Sequence, residues 1–154
     1  MYETILANKA ILVGIHLGLG IIGIDALIWL LGELVANQWG HWRTRLAATV
    51  SVLAFVGSWV VGGYYYVKFY GPLVKPVINA SSAPWAHKVV MEAKEHIFLF
   101  LVPMVMTILL VSLLNSQEVF NLKRPYKMLV FTTGSLSLLI GLMGFIISAS
   151  ARWA

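Results

Sequence analysis

The chain has 154 residues, 60% of them hydrophobic and 11% charged, and its mean hydropathy is +0.85. That balance excludes a disordered tail and leaves too little polar surface to cover a soluble fold of this size. The formal charge of +5 does not imply nucleic acid, because the basic residues stand at the ends of apolar segments, where lysine and arginine meet lipid headgroups.

Apolar stretches occupy residues 8–34, 46–70, 89–115 and 126–150. Each reaches the roughly 20 residues that a helix rising about 1.5 Å per residue needs to cross a bilayer. We therefore expect an all-α integral membrane protein, one domain over residues 1–154, with four transmembrane helices at about 8–34, 46–70, 84–115 and 126–150 in an up-and-down bundle. The first stretch is too long for a signal-peptide core and holds Asp25 and Glu33, so the N-terminus is read as uncleaved.

Helix one has two faces that are not simply lipid-facing. One carries His16, Gly20 and Gly23. Asp25 follows His16 by nine residues, about 180° around a helix, and shares the opposite face with Gly14, Gly18, Trp29 and Gly32. A four-helix monomer hides one such face; the other suggests a homodimer or a larger complex, with Asp25 touching a partner helix or lining a proton path. The following turn holds Trp39, His41, Trp42, Arg43 and Arg45.

Helix two carries a stripe of small residues, Ala47, Ser51, Ala54, Ser58 and Gly62, at the spacing that lets helix backbones approach closely in lipid. It ends in Tyr64, Tyr65, Tyr66 and Tyr70, an aromatic belt that also has the chemistry to border a quinone pocket. Residues 70–84, with Pro72, Pro76 and Pro84, read as a loop, and Ser82 as the N-cap of helix three. Asn79-Ala80-Ser81 in that loop fits a glycosylation triplet that is common by chance.

Helix three enters the membrane through the densest polar run in the chain, Trp85 to His96. Glu92 and His96 are i,i+4 neighbours on a face continued by Phe100, Pro103 and Thr107, whereas His87 points away. Helix four repeats the small-residue stripe with Gly134, Ser137, Gly141, Gly144 and Ser148. The turn before it carries Lys123 and Arg124. Both termini fall on one side of the membrane, and the packing of Arg43, Arg45, Lys123, Arg124 and Lys127 into short turns places that side outside the cytoplasm, in a bacterial or archaeal inner membrane.

The absence of cysteine leaves histidine, methionine and carboxylates to hold any cofactor. His16 and His96 start from the same membrane surface and come to similar depths. Two imidazoles on facing helices, flanked by Gly20 and Gly23, meet the needs of a six-coordinate b-type haem. This arrangement resembles the four-helix membrane cytochromes b, and the resemblance implies one haem b, electron transport, exchange with quinol, and a quinol-linked oxidoreductase or a subunit of one. Lys68, Lys88, Lys94 or Arg152 would pair with the propionates, and Glu92 would orient His96. Helices two and four carry no histidine, so a second haem is not supported.

Two other readings use the same sequence. His16, His96 and Glu92 form a nitrogen and oxygen set suited to copper, zinc or iron. Alternatively the chain carries no cofactor and is an accessory subunit or small transporter whose Asp25 and glycine stripes meet partner helices. No Ser-His-Asp arrangement or other catalytic set is evident.

Overall fold

A computed structural model describes residues 6–153; residues 1–5 and 154, and with them part of the N-terminal segment read as uncleaved, lie outside it. Helix α1, Lys9–Val35, opens at Asn8, whose Oδ1 accepts the amides of Ala10 and Ile11 at 3.0 and 3.2 Å. Such a cap satisfies donors that the first helical turn leaves without partners. The turn that follows needs Gly40, which has a φ of +67° and would place an added Cβ 2.6 Å from Ser116 Oγ.

Helix α2, Trp42–Tyr65, does not give way to the expected loop. It continues through a π-helical stretch, Tyr66–Val74, into α3, Lys75–Ala80, making one 39-residue rod. Pro72 lies inside the π-helical stretch. Proline lacks an N–H and its ring strikes the carbonyl one turn back, and the wider π turn accommodates both defects without ending the helix. Only a short link separates this rod from the next. In that link Ser81 Oγ, in place of the expected Ser82, accepts the amide of Ala83 at 3.0 Å. The Ala83 carbonyl then takes the amide of Ala86.

A second π-helical stretch, Ala86–Met91, leads directly into α4, Glu92–Ser112. The third connection forms a short helix, α5 (Ser116–Asn121), closed by a capping box between Asn115 and Glu118. Helix α6 spans Lys123–Arg152. The described residues form helices and short links without strands, and four rods are long and apolar enough to cross a membrane.

Contacts between neighbours arrange the rods as a square, with α1 and α4 on one diagonal and α2 and α6 on the other. One half of the interior is a tight apolar cluster: Leu27, Leu30 and Leu34 of α1, Ala47, Ala48 and Phe55 of α2, Leu101, Val105 and Ile108 of α4, and Val130 and Ile140 of α6. A smaller cluster, Tyr70, Val74, Ile78, Ala86, Met91 and Ile147, closes the opposite end. Large apolar side chains such as Leu17, Leu53, Phe100, Leu138 and Phe145 point outward, as lipid-facing positions do.

The end bearing the short turns is held by cations. Arg45 Nε donates to the Ser112 carbonyl at 3.2 Å, at the C-terminus of α4 where a positive charge is favoured. Lys123 and Lys127 lie over the rings of Phe120 and Trp39 at 4.3 and 5.1 Å, and buried Glu33 pairs with Arg43 at 3.1 Å while accepting the Trp29 indole N–H at 2.9 Å.

Candidate functional site

His16 lies on the inner face of α1, in register with buried Leu12, Gly23, Leu27, Leu30 and Leu34. By helical rise it sits roughly 10 Å inside the end of the span. Its Nδ1 is 2.8 Å from the Ser58 carbonyl oxygen. A carbonyl only accepts, so Nδ1 carries a hydrogen. Ser58 Oγ lies 2.9 Å from the same nitrogen and donates back to the His16 carbonyl at 3.0 Å. The imidazole lies against Gly62, where an added Cβ would be 2.6 Å from Nδ1. The small-residue stripe of α2 therefore makes room for a side chain of α1.

Gly20 and Gly23 have the same role. A Cβ at Gly20 would touch Ser58 Oγ at 3.9 Å, and one at Gly23 would meet the Phe55 ring at 2.9 Å. Gly23 lets α1 pack closely against the Phe55 ring of α2, and Gly20 lies beside Ser58.

His96 does not face His16. The inward positions of α4 are Leu101, Val105, Ile108 and Ser112, and stepping back two turns from Leu101 arrives at Lys94. His96 is about 200° further round, exposed on the side that carries Phe100, Pro103 and Thr107, with its Nδ1 donating to the Glu92 carbonyl at 2.7 Å. The expected imidazole pair is thus separated by the rotation of α4, and Lys94 takes the inward place. Its Cε would lie 3.7 Å from a Cβ at Gly144 of α6.

Glu92 is exposed on α4, and its side chain has no bond to His96. Among the described residues no group of three or more His, Asp or Glu converges as a metal site. The set His16, His96 and Glu92 is not gathered.

Above His16 and Lys94 the interior is again polar. Tyr66 stacks on Tyr70 with ring centroids 5.2 Å apart. The Tyr70 hydroxyl and His87 Nδ1, both on buried residues, are 3.1 Å apart. His87 is buried at the helical mouth of the bundle.

No protein-family model matches the chain, and neither a curated protein nor a solved structure is significantly similar to it. The site must therefore be judged on its own chemistry.

The outer face of α1 completes the set. Asp25 is exposed and lies near the middle of the span. On the same face a Cβ at Gly14, Gly18 or Gly32 would meet nothing within 4 Å. Two shallow clefts of about 350 and 500 Å³ meet at Trp29, the first lined by Ile22, Asp25 and Val50, the second by Gly32, Glu33, His41 and Arg43. Sequence reasoning found Asp25 and missed Lys94 as an inward residue. Its register with Leu101 was the available signal.

Proposed function

We propose that this chain is an accessory subunit of a larger membrane assembly, engaged through the outer face of α1. The observation that supports the reading is Asp25, an exposed carboxyl group near the middle of an apolar helix. An aspartate at that depth costs about 2.5–3.5 kcal/mol on insertion scales, and such residues normally face protein or a water-filled space. The open glycines beside it allow a partner helix to approach to backbone contact, where a hydrogen-bonding side chain would satisfy the carboxyl group. Lipid surrounds the other faces, and both termini lie outside the cytoplasm, in a bacterial or archaeal inner membrane.

Native electrophoresis of the protein extracted from its own membranes in mild detergent tests the proposal. A particle well above the 17.0 kDa chain that collapses in Asp25→Leu and Gly18→Trp is expected. A monomer in the unaltered protein, or an assembly indifferent to both substitutions, would contradict it.

A second reading, a haem-binding electron-transfer protein exchanging electrons with quinol, keeps one supporting observation. Both His16 and His96 donate Nδ1–H to a backbone carbonyl, the arrangement that leaves Nε2 available as a ligand. It does not have a facing pair. A Soret band in the purified protein that is lost in His16→Ala would support haem, and a colourless preparation at full occupancy would exclude it.

A further inference from the structure

The outer face of α1 carries a repeat along most of its length. Gly14, Gly18, Ile21, Asp25, Ile28 and Gly32 recur at alternating steps of four and three residues, the 3.5-residue period on which two helices stay in contact from end to end. Ile21 and Ile28 are exposed, and a Cβ at any of the three glycines would meet nothing within 4 Å, so none of the described elements covers this seam. Asp25 is its one ionisable residue, and it lines the cleft of about 350 Å³ that Val50 of α2 borders. A single polar side chain on such a seam fixes register and selects the partner.

Charge decides what that partner is. Residues 10–42, 46–67, 95–122 and 128–151 contain no lysine or arginine, and Arg43, in the adjoining cleft at the short-turn end, is already paired with Glu33 at 3.1 Å. This chain therefore has no lysine or arginine at the depth of Asp25. A second copy would bring none either. Copies of one membrane protein insert in one orientation, so a two-fold axis between them runs along the membrane normal and sets each seam residue beside its own equivalent. Asp25 would then meet Asp25, two acids in one layer of low dielectric. A different helix with a basic side chain near its middle avoids this, since an acid and a base that are each costly in lipid compensate one another when paired.

We propose that the seam from Gly14 to Gly32 docks a transmembrane helix of a different protein, one that carries a lysine or arginine near its midpoint and forms an ion pair with Asp25. The assignment rests on the accessory-subunit reading and specifies the partner's chemistry. An assembly held by a neutral hydrogen bond would satisfy that reading and not this one. The partner runs alongside α1 at the shallow crossing angle of about 20° that a 3.5-residue seam gives. Its backbone comes closest at Gly14 and Gly18, and its basic group meets the carboxylate at the cleft beside Val50.

Three substitutions at Asp25 test this, by native electrophoresis of the protein from its own membranes with each particle's composition read by mass spectrometry. Asp25→Glu keeps the charge and should preserve the assembly. Asp25→Asn keeps the shape and the capacity for hydrogen bonds but not the charge, and should lower the yield of the assembly about tenfold or more, as Asp25→Leu does. The component lost with the charge should contain a span with a lysine or arginine within about one turn of its middle. Exchanging that residue for aspartate should restore the assembly with Asp25→Lys. Detergent unfolding of the isolated Asp25→Asn chain, expected to match the unaltered protein, keeps lost docking distinct from lost folding. An assembly that survives Asp25→Asn but not Asp25→Leu would overturn the ion pair and leave the subunit reading standing, whereas indifference to all three substitutions would overturn both. A particle made of this chain alone, or a lost component without an intramembrane base, would also overturn the proposal.

Discussion

On the inner face of α1 an added Cβ at Gly23 would meet the Phe55 ring at 2.9 Å, whereas on the outer face one added at Gly14, Gly18 or Gly32 would meet nothing within 4 Å. The polar residues divide in the same way. His16 on the inner face has Ser58 at 2.8 Å, and Asp25 on the outer face is exposed. Two glycine-rich faces with one ionisable residue each look alike as sequence. Their surroundings show that one has already been used to build the bundle and the other has not.

Truncation separates the faces most strongly. Leu30 is fully buried and Leu17 is 57% exposed. Leu30→Ala should cost about 2–5 kcal/mol of stability in detergent unfolding, against about 0.5 kcal/mol or less for Leu17→Ala. Comparable losses would show that α1 does not present the faces described.

Glycine substitution sharpens the contrast next. Gly23→Ala pushes against a buried aromatic ring and should destabilise by about 1–3 kcal/mol. Gly18→Ala should leave the isolated chain's unfolding curve within about 0.5 kcal/mol of the original.

A smaller effect is expected where the outer face borders the first turn. Trp29→Phe removes the indole N–H that Glu33 accepts at 2.9 Å while leaving its Arg43 partner at 3.1 Å. A loss of about 0.5–1.5 kcal/mol by the same measurement is expected. Asp25→Asn keeps the shape of its side chain and touches no inner contact, so the isolated chain should change least of all.

Much of the fold is legible from length and hydropathy, because crossing a bilayer fixes how many apolar residues a helix needs. The second connection was less legible. Three prolines between residues 70 and 84 read as a loop, but Pro72 sits in a π-helical stretch that carries the rod on to Ala80. The site was legible only in part for a different reason. Spacing groups Glu92 with His96, and Lys94 with Leu101, but it does not say which group faces inward. That rotation is set by the packing of α4 against α2 and α6, and it exchanges a histidine for a lysine at the centre of the bundle. On α1 the spacing correctly separates His16 from Asp25, since a half-turn offset holds however the helix is rotated.

The absence of cysteine makes the central claim, that the outer face of α1 meets protein, directly measurable by site-specific crosslinking in native membranes. Single cysteines at Gly18 and Gly32, with a control at exposed Leu138 of α6, would be treated with a short thiol-to-amine photocrosslinker. The expected result is a discrete higher-mass adduct from the two α1 positions and none from Leu138, with the α1 adducts lost in Asp25→Leu. Adducts of equal yield from all three positions, or none from α1, would contradict it.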